Sequence, residues 1–515
     1  MTEASPVIRP EHPSARSLGA LVEDSGVEVR GSVQGVHVTG VSLSSREVLP
    51  GDLYVALRGD RAHGAAYTEQ ARDAGAVAVV TDAQGAELAA SAGLPILVVD
   101  DPRLALGDLS AWVYQTDEHR PALFGVTGTN GKTSTSYLLD GLLRQLGLAT
   151  GLSTTAERRA GDLVVEAKLT TPEAPELHAL LARMRESEVR AAVIEVSSHA
   201  LGRHRIDGLL FDVAGFTNLS HDHLDEYADM GEYFAVKLQL FHPDHAKRGV
   251  ASLDTPWGAR VLEESRIPVT TVALAESDAS PEWTVTVLEE RVDRTVFRLS
   301  GPEDRELVTS VPLLGRHMAS NAGLAIVMLV EAGFDLDAIG QALGDDGIDA
   351  FLPGRIERVS GERGPALFVD FGHSPEAFRT TLEALRRFTE GDIVMVFAAN
   401  GDRDHSKREA MGAIPAELAD HLIVTDLNPR TEDPASIRAV LLEAARATAP
   451  GKPLEEIADP TAAIRRAVEL AGPGDSILWA GPGHQEYREI GADKVPYSAR
   501  SEARLALQDA GWEPA

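Results

Sequence analysis

Lys132 and Thr133 end a glycine-bearing turn, Gly125-Val126-Thr127-Gly128-Thr129-Asn130-Gly131-Lys132-Thr133-Ser134. An apolar run at 122–126 precedes it. A helical pattern at 133–146 follows, with Tyr137, Leu138, Leu142 and Leu146 as its apolar positions. A turn between strand and helix is where a phosphate cradle forms. Glycines let successive amide N–H groups converge on oxygens, and the helix start adds its positive end. Lys132 is then placed to reach the β/γ-phosphates, and the Thr133 hydroxyl to bind Mg²⁺. The general ATPase spacing puts its first glycine where this chain has Val126, so the strand–helix context carries the reading.

Other chemistry-bearing residues lie downstream. Glu195 ends a strand predicted at 191–196, where a carboxylate can meet a metal at the strand's C-terminal edge. The run Asn218-Leu219-Ser220-His221-Asp222-His223-Leu224-Asp225 follows a strand predicted at 213–217. Its oxygens and imidazoles suit Mg²⁺ if most of the shell is oxygen. The two histidines around Asp222 could also suggest zinc, but no suitable third ligand stands out. Taken singly, each has a bland reading as a surface polar residue or a satisfied core histidine, which fits His221 better than His223.

These residues need a frame. The chain has 515 residues, enough for about three domains at roughly 150 residues each. Residues 1–17 read as a loose arm, and 18–21 open a short helix. Strands at 36–43 and 52–57 flank a turn at Pro50-Gly51, a helix spans 67–73, and further strands lie at 77–81 and 96–99. This small α/β unit ends near residue 119. A central unit, 120–353, alternates strands and helices, with a helix at 175–184. That pattern predicts a mostly parallel sheet covered on both faces. Runs at 283–287 and 295–299 read as an antiparallel excursion, and 319–332 as a helix. The last unit, 354–515, has strands at 367–370, 393–398, 421–425 and 476–479. Helices at 375–388, 437–449 and 461–470 separate them, as in a Rossmann-like fold. The fold class is α/β with three domains.

Composition removes several function classes. At 43% hydrophobic and 25% charged, the chain has a globular profile. A formal charge of −31 repels phosphodiester backbones and anionic membranes, so neither nucleic acid nor membrane is an expected partner. The absence of cysteine excludes disulfides, thiolate nucleophiles and Cys-based zinc sites. The start of the chain lacks the basic-then-apolar order of a signal peptide, so cytoplasmic residence is expected.

In order along the chain, several segments resemble the Mur ligase family, and within it the branch that adds the third residue of the peptidoglycan stem peptide. They are 127–134, Thr170-Thr171-Pro172, Glu195-Val196-Ser197-Ser198-His199, 217–225, Tyr233 with Lys237, 315–321, Gly354-Arg355, 370–375, Gly401-Asp402-Arg403-Asp404, Asn428-Pro429-Arg430 and 481–484. The resemblance implies a UDP-sugar domain, a central ATP-binding domain and a C-terminal amino-acid-binding domain; closure of such domains makes a monomer sufficient for turnover and leaves a dimer open. It implies an ATP-dependent ligase that activates a carboxylate as an acyl phosphate and joins it to an amino acid. Gly128, Thr129, Asn130, Gly131, Lys132, Thr133 and Ser134 would hold ATP. Asn321 matches an adenine contact, and Arg355 and Asp370 match nucleotide contacts. Thr133, Glu195 and His223 match metal positions, with two Mg²⁺ expected. Lys237 matches a lysine that the family carbamylates with CO₂. Lys132, Glu195, His223 and Lys237 are thus the implied catalytic set. Ser45, Arg46, Thr170, Thr171, Ser197, Arg205, Arg403, Asn428, Arg430, Gly481 and Gln485 match substrate positions. His199 is a conjectural base for the incoming amine.

The chain departs from the family where substrates are chosen. Members specific for meso-diaminopimelate read Asp-Asn-Pro-Arg where this chain reads Leu427-Asn428-Pro429-Arg430. Gly-Lys-Gly-His-Glu becomes Gly481-Pro482-Gly483-His484-Gln485. Two anionic positions are neutral together, and a buried ammonium without an anion is costly. The expectation is a side chain with a carboxylate or polar end and no distal ammonium. In the N-terminal unit, Asp-Ser-Arg becomes Ser44-Ser45-Arg46, His-Gln-Ala becomes Asp60-Arg61-Ala62, and an expected Asn is Met318. A paralogue acting on another carboxylate, in secondary metabolism, therefore stands beside the cell-wall reading. A non-catalytic nucleotide-binding scaffold is the rival of another class, disfavoured by the intact Lys132, Thr133, Glu195, His223 and Lys237. A folylpolyglutamate-type ligase shares the mechanism but not the added N-terminal unit.

Overall fold

The computed structural model describes residues 8–117, 120–222 and 226–515. It contains three α/β units, each built on its own sheet. The N-terminal unit orders its strands Glu28–Arg30, Ile96–Val98, Ala78–Thr81, Asp52–Val55, Gly40–Ser42. All neighbours are parallel except the first pair. The run at 36–43 is not one strand. His37–Val38 pairs antiparallel with Arg16–Ser17, while Gly40–Ser42 runs parallel to Asp52–Val55. The break falls at Thr39, just before Gly40, where a Cβ would sit 2.2 Å from the buried Asp52 carboxylate and 2.3 Å from the Arg9 guanidinium. Arg9 is itself held by Asp52 at 2.8 Å, and Ile8 is buried, so the described part of the N-terminal arm is anchored rather than loose.

The central sheet has eleven strands. Its parallel heart runs Thr150–Ser153, Ala191–Glu195, Ala122–Thr127, Phe211–Phe216, Ala246–Ser252, Val269–Leu274. These strands are almost wholly buried, as strands covered on both faces must be. Lys132–Gln145 and Arg316–Glu331 pack on one face, while Ala174–Glu186 and Met230–Leu238 contribute to the core on the other. The excursion predicted at 283–299 is present as Trp283–Glu290 and Thr295–Ser300, paired antiparallel. An antiparallel hairpin at the opposite edge, Glu157–Ala160 with Leu163–Glu166, has too little apolar alternation to be read from sequence.

The C-terminal sheet orders Glu357–Arg358, Ala366–Asp370, Ser476–Ala480, Ile393–Phe397, His421–Val424, Leu454–Glu456, parallel except at its first pair. Helices Pro375–Arg386 and Pro434–Thr448 start with Pro just inside and Ser374 or Asp433 accepting the first free amides. Apolar contacts run without interruption from the central unit into this one, through Leu314, Met318, Leu382 and Ala384. Loops from both sheets therefore face one cleft.

Candidate active site

The strand Ala122–Thr127 ends at the C-terminal edge of the central sheet, and the chain turns over Gly128 and Gly131 into Lys132–Gln145. Both glycines have positive φ, 144° and 84°. A Cβ would lie 2.0 Å from the Thr217 hydroxyl at the first and 2.8 Å from Asn321 Oδ1 at the second. The next strand's end clamps this loop. Asn218 Oδ1 accepts from the Asn130 amide at 3.0 Å, and the Thr217 hydroxyl donates to the Asn130 carbonyl at 2.6 Å. Lys132 curls over the turn and donates to the Thr129 carbonyl at 2.8 Å. Burial pulls its pKa below the usual lysine value, against the pull of Glu195 and Asp222.

Thr133 is the centre of a polar array. Its hydroxyl donates to Glu195 Oε2 at 3.0 Å and accepts from Arg355 Nη2 at 2.8 Å. Glu195 also accepts from the Thr155 amide at 3.0 Å and the Thr155 hydroxyl at 3.1 Å. The Thr170 hydroxyl lies 3.1 Å from that of Thr155. Thr171 does not line the cleft. It braces it, donating to the Glu195 carbonyl at 2.8 Å and accepting from the Ser197 amide at 3.0 Å. Arg355 arrives from the start of the C-terminal unit, its guanidinium 4.4 Å from the Phe371 ring centroid. Opposite it, buried Asp370 accepts from the amides of Ile356 and Gly372. Burial raises the Asp370 pKa, with Arg355 and these amides opposing.

Lys237 lies behind the phosphate loop, 1% exposed, donating to the Gly128 carbonyl at 2.8 Å. Burial first, and the Lys132 charge second, push its pKa well below the usual lysine range, with Asp222 and Glu195 pulling back. His223 lies outside the described residues. Among the described residues, no three His, Asp or Glu side chains gather as a metal cluster. The oxygens of Thr133 and Glu195 fit a hard cation such as Mg²⁺, whose remaining ligands would come from phosphate and water.

The cleft, about 1140 Å³, takes in the loop residues Thr129 to Ser134 together with Thr170, Glu195, Ser197, Arg205, Asn321, Arg355, Asp370, Arg403, Asn428, Arg430, Gly481 and Gln485. Ser45 and Arg46 stay in the N-terminal unit outside it. Ser45 donates to Gln70 at 3.0 Å, and Arg46 is exposed. Arg205 is already paired with Glu173 at 2.9 Å. His199 meets Glu226 at 2.6 Å at the cleft wall.

Sequence reasoning missed two contacts. Lys407 donates to Asp222 at 2.9 Å, nearly buried, and joins the C-terminal unit to the central one. Glu489 pairs with Arg430 at 2.7 Å. The two motif positions are neutral, and a carboxylate reaches Arg430 from elsewhere. Leu427 is 2% exposed and packs into the core against Gly481, away from the cleft, and Glu489 supplies a carboxylate from outside the family motifs. No local pattern marks either contact, because both arise only when distant loops converge.

A phosphate loop at a parallel-sheet edge, facing a second α/β unit across one cleft, defines a nucleotide-dependent two-substrate enzyme. The comparisons make the class specific. Residues 37–114 match the model of the Mur ligase family, catalytic domain, residues 126–329 that of the Mur ligase middle domain, and residues 354–483 that of the Mur ligase, glutamate ligase domain. The chain is 61% identical to a UDP-N-acetylmuramyl-tripeptide synthetase of Leifsonia xyli subsp. xyli, over 99% of this chain and 100% of that one. It is 42% identical to a UDP-N-acetylmuramoyl-L-alanyl-D-glutamate–2,6-diaminopimelate ligase of Streptomyces avermitilis, over 97% and 98%. A solved structure of a ligase of that second kind superposes with TM-score 0.66 at 27% identity, covering 97% of this chain and 100% of that one. The chain belongs to the Mur ligase family. It is an ATP-dependent ligase that forms amide bonds between small acids and amino acids. No helix among the described residues is long and apolar enough to cross a membrane.

Proposed function

We propose that this chain adds an amino acid to UDP-MurNAc-L-Ala-D-Glu in the cytoplasm, as a step of peptidoglycan synthesis. The carrying observation is the Thr133–Glu195–Arg355 array at the foot of the phosphate loop, in one cleft with Asn428, Arg430 and Gln485. The substrate carboxylate attacks the γ-phosphorus of ATP, ADP leaves, and an acyl phosphate forms. The amine then attacks the acyl carbon and phosphate leaves, forming the amide.

In this reading residues 1–119 receive the UDP-sugar, 120–353 the nucleotide and 354–515 the amino acid. Loop amides from Gly128 to Lys132 orient the phosphates, and the Lys132 ammonium offsets their charge. Ser134 follows in the first helical turn, and Asn321 stands beside Gly131 at the loop's outer side. Thr133 and Glu195 would hold one Mg²⁺, and His223 with a modified Lys237 a second. Bound there, Mg²⁺ would neutralise charge on the transferring phosphoryl group. Burial pulls the Lys237 pKa down, which favours its neutral amine. Its nitrogen can attack the carbon of CO₂ and lose a proton, leaving a carbamate anion. Thr170, Ser197 and Arg205 line the acyl side, and Arg403 with the Asn428–Arg430 group lines the amine side. The Lys407–Asp222 contact holds the two units together over the reacting groups, limiting water that would hydrolyse the acyl phosphate.

The test incubates purified protein with Mg²⁺, bicarbonate, ATP, UDP-MurNAc-L-Ala-D-Glu and a panel of amino acids, following ADP and the mass of the nucleotide-sugar product. The expected result is one ADP per ligated amino acid. Nucleotide binding without any product from this acid, with product from another, would reject the substrate assignment.

A further inference from the structure

The amine end of the cleft holds an ion pair that the reaction above does not use. Glu489, in the strand Tyr487–Ile490, places Oε2 2.7 Å from Arg430 Nε. Arg430 Nη1 donates to the Gly401 carbonyl at 2.7 Å. The backbones lock the pair edge to edge: the Arg430 amide donates to the Glu489 carbonyl at 3.1 Å, and the Gly491 amide to the Arg430 carbonyl at 2.8 Å. The Glu489 amide in turn donates to Asn428 Oδ1 at 2.9 Å. Both side chains still face the cleft, 21% and 29% exposed.

This arrangement changes what the pocket attracts. The Arg430 charge is already met by Glu489, and two of its donor groups are committed. A diamino dicarboxylic acid would bring its second carboxylate to a guanidinium whose charge and donors are already engaged, so it gains little there. Glu489 Oε1 receives no hydrogen bond from the described residues, so it is open to a cation. Gln485 is neutral, its Oε1 taken by the Asn428 amide at 3.3 Å. Arg403, exposed at the cleft and unpaired among the described residues, remains for the α-carboxylate.

We propose that Glu489 is the specificity-determining residue of the amine pocket, and that the amino acid added is a diamino monocarboxylic acid whose side-chain ammonium binds Glu489 Oε1. The assignment rests on the ligase reading above and narrows its second substrate. Specificity lies outside the two motifs where the sequence departs from its family, in a strand that reaches the pocket only after Arg430 and Ile490 bridge.

The test assays the full chain with UDP-MurNAc-L-Ala-D-Glu and, separately, L-lysine, L-ornithine, L-2,4-diaminobutyrate, meso-diaminopimelate and L-norleucine. One of the first three is expected to exceed both meso-diaminopimelate and norleucine in kcat/KM by about tenfold or more, the weight of one charge-assisted hydrogen bond. Glu489→Gln should raise the KM for that amino acid about tenfold to a hundredfold with kcat little changed, leave nucleotide binding intact, and erase the margin over norleucine. Glu489→Asp should restore part of the preference. Wild-type preference for meso-diaminopimelate, or an unchanged ranking in Glu489→Gln, would overturn the assignment while leaving the ligase reading standing. Absence of product with every amine would overturn both.

Discussion

Replacing Gly128 with alanine strikes the phosphate loop where it has least room. At φ 144° an L-residue sits in a region that costs about 1–3 kcal/mol. The added methyl also meets Thr217 Oγ1 at 2.0 Å, the Asn218 carbonyl oxygen at 2.9 Å and the Asn218 nitrogen at 3.1 Å. Thr217 can yield only by rotating, which breaks its 2.6 Å bond to the Asn130 carbonyl and costs about 1 kcal/mol more. The loop relieves this by leaving the cradle conformation, so the cost, about 3 kcal/mol in all, returns when a nucleotide forces it back. At about 1.4 kcal/mol per tenfold, ATP binding measured by calorimetry should weaken about a hundredfold. Thr217→Ala alone loses only the hydrogen bond and should weaken binding about fivefold. The double variant keeps the backbone strain but loses the worst clash, so it should bind no more weakly than Gly128→Ala alone, a non-additive cycle. Binding by Gly128→Ala within about threefold of wild type, or strictly additive losses, would refute this account of the loop.

Three further outcomes follow from the same geometry. Glu195→Gln keeps an oxygen for the Thr133 hydroxyl and the Thr155 amide but removes the charge. Its melting midpoint should stay near wild type while kcat falls about a hundredfold, and a normal kcat would contradict the metal-holding role. Protein stripped of CO₂ should regain activity on adding bicarbonate, and ¹³C-bicarbonate should give a carbamate NMR signal absent from Lys237→Ala. An unlabelled, fully active wild type would dismiss the modification. Burial holds His178, His317 and His373 neutral, each with its pKa pulled down to about 4. Unfolded histidines titrate near 6.5, so between about pH 6.5 and 4 the unfolded chain binds protons the folded one refuses. Stability is complete above that window and falls as pH drops through it, about 1.4 kcal/mol per pH unit for each histidine. The urea midpoint should be lower at pH 5 than at pH 7, and His178→Asn should shallow the slope. An equal slope in that variant would remove His178 from the explanation.

Legibility followed the range of each interaction. The phosphate loop could be read because strand, turn and helix are consecutive and each leaves a local mark: apolar run, glycines, then amphipathic spacing. The parallel core strands could be read because burial on both faces makes them continuous apolar runs. The run at 36–43 misled because its β-branched residues continue across the break at Thr39, where the chain leaves one pairing partner for another beside Gly40, a position that Arg9, Asp52 and Tyr114 leave no room to fill with a side chain. The charged hairpin beginning at Glu157 gave no periodic signal. The Arg355–Thr133, Lys407–Asp222 and Arg430–Glu489 contacts join residues 222, 185 and 59 positions apart, and nothing in either local sequence announces its partner. Leu427 carries no charge at its motif position, and its side chain packs into the core beside Gly481, a placement that the motif alone does not announce.

In the proposed mechanism the cleft moves the γ-phosphoryl group of ATP onto a carboxylate before the amine arrives. The most direct measurement uses UDP-MurNAc-L-Ala-D-Glu with ¹⁸O in both oxygens of the reacting carboxylate, together with ATP, Mg²⁺ and the accepted amino acid. One ¹⁸O should appear in each inorganic phosphate released and the other in the new amide. Product formation with unlabelled phosphate would contradict the account, whatever amino acid was joined.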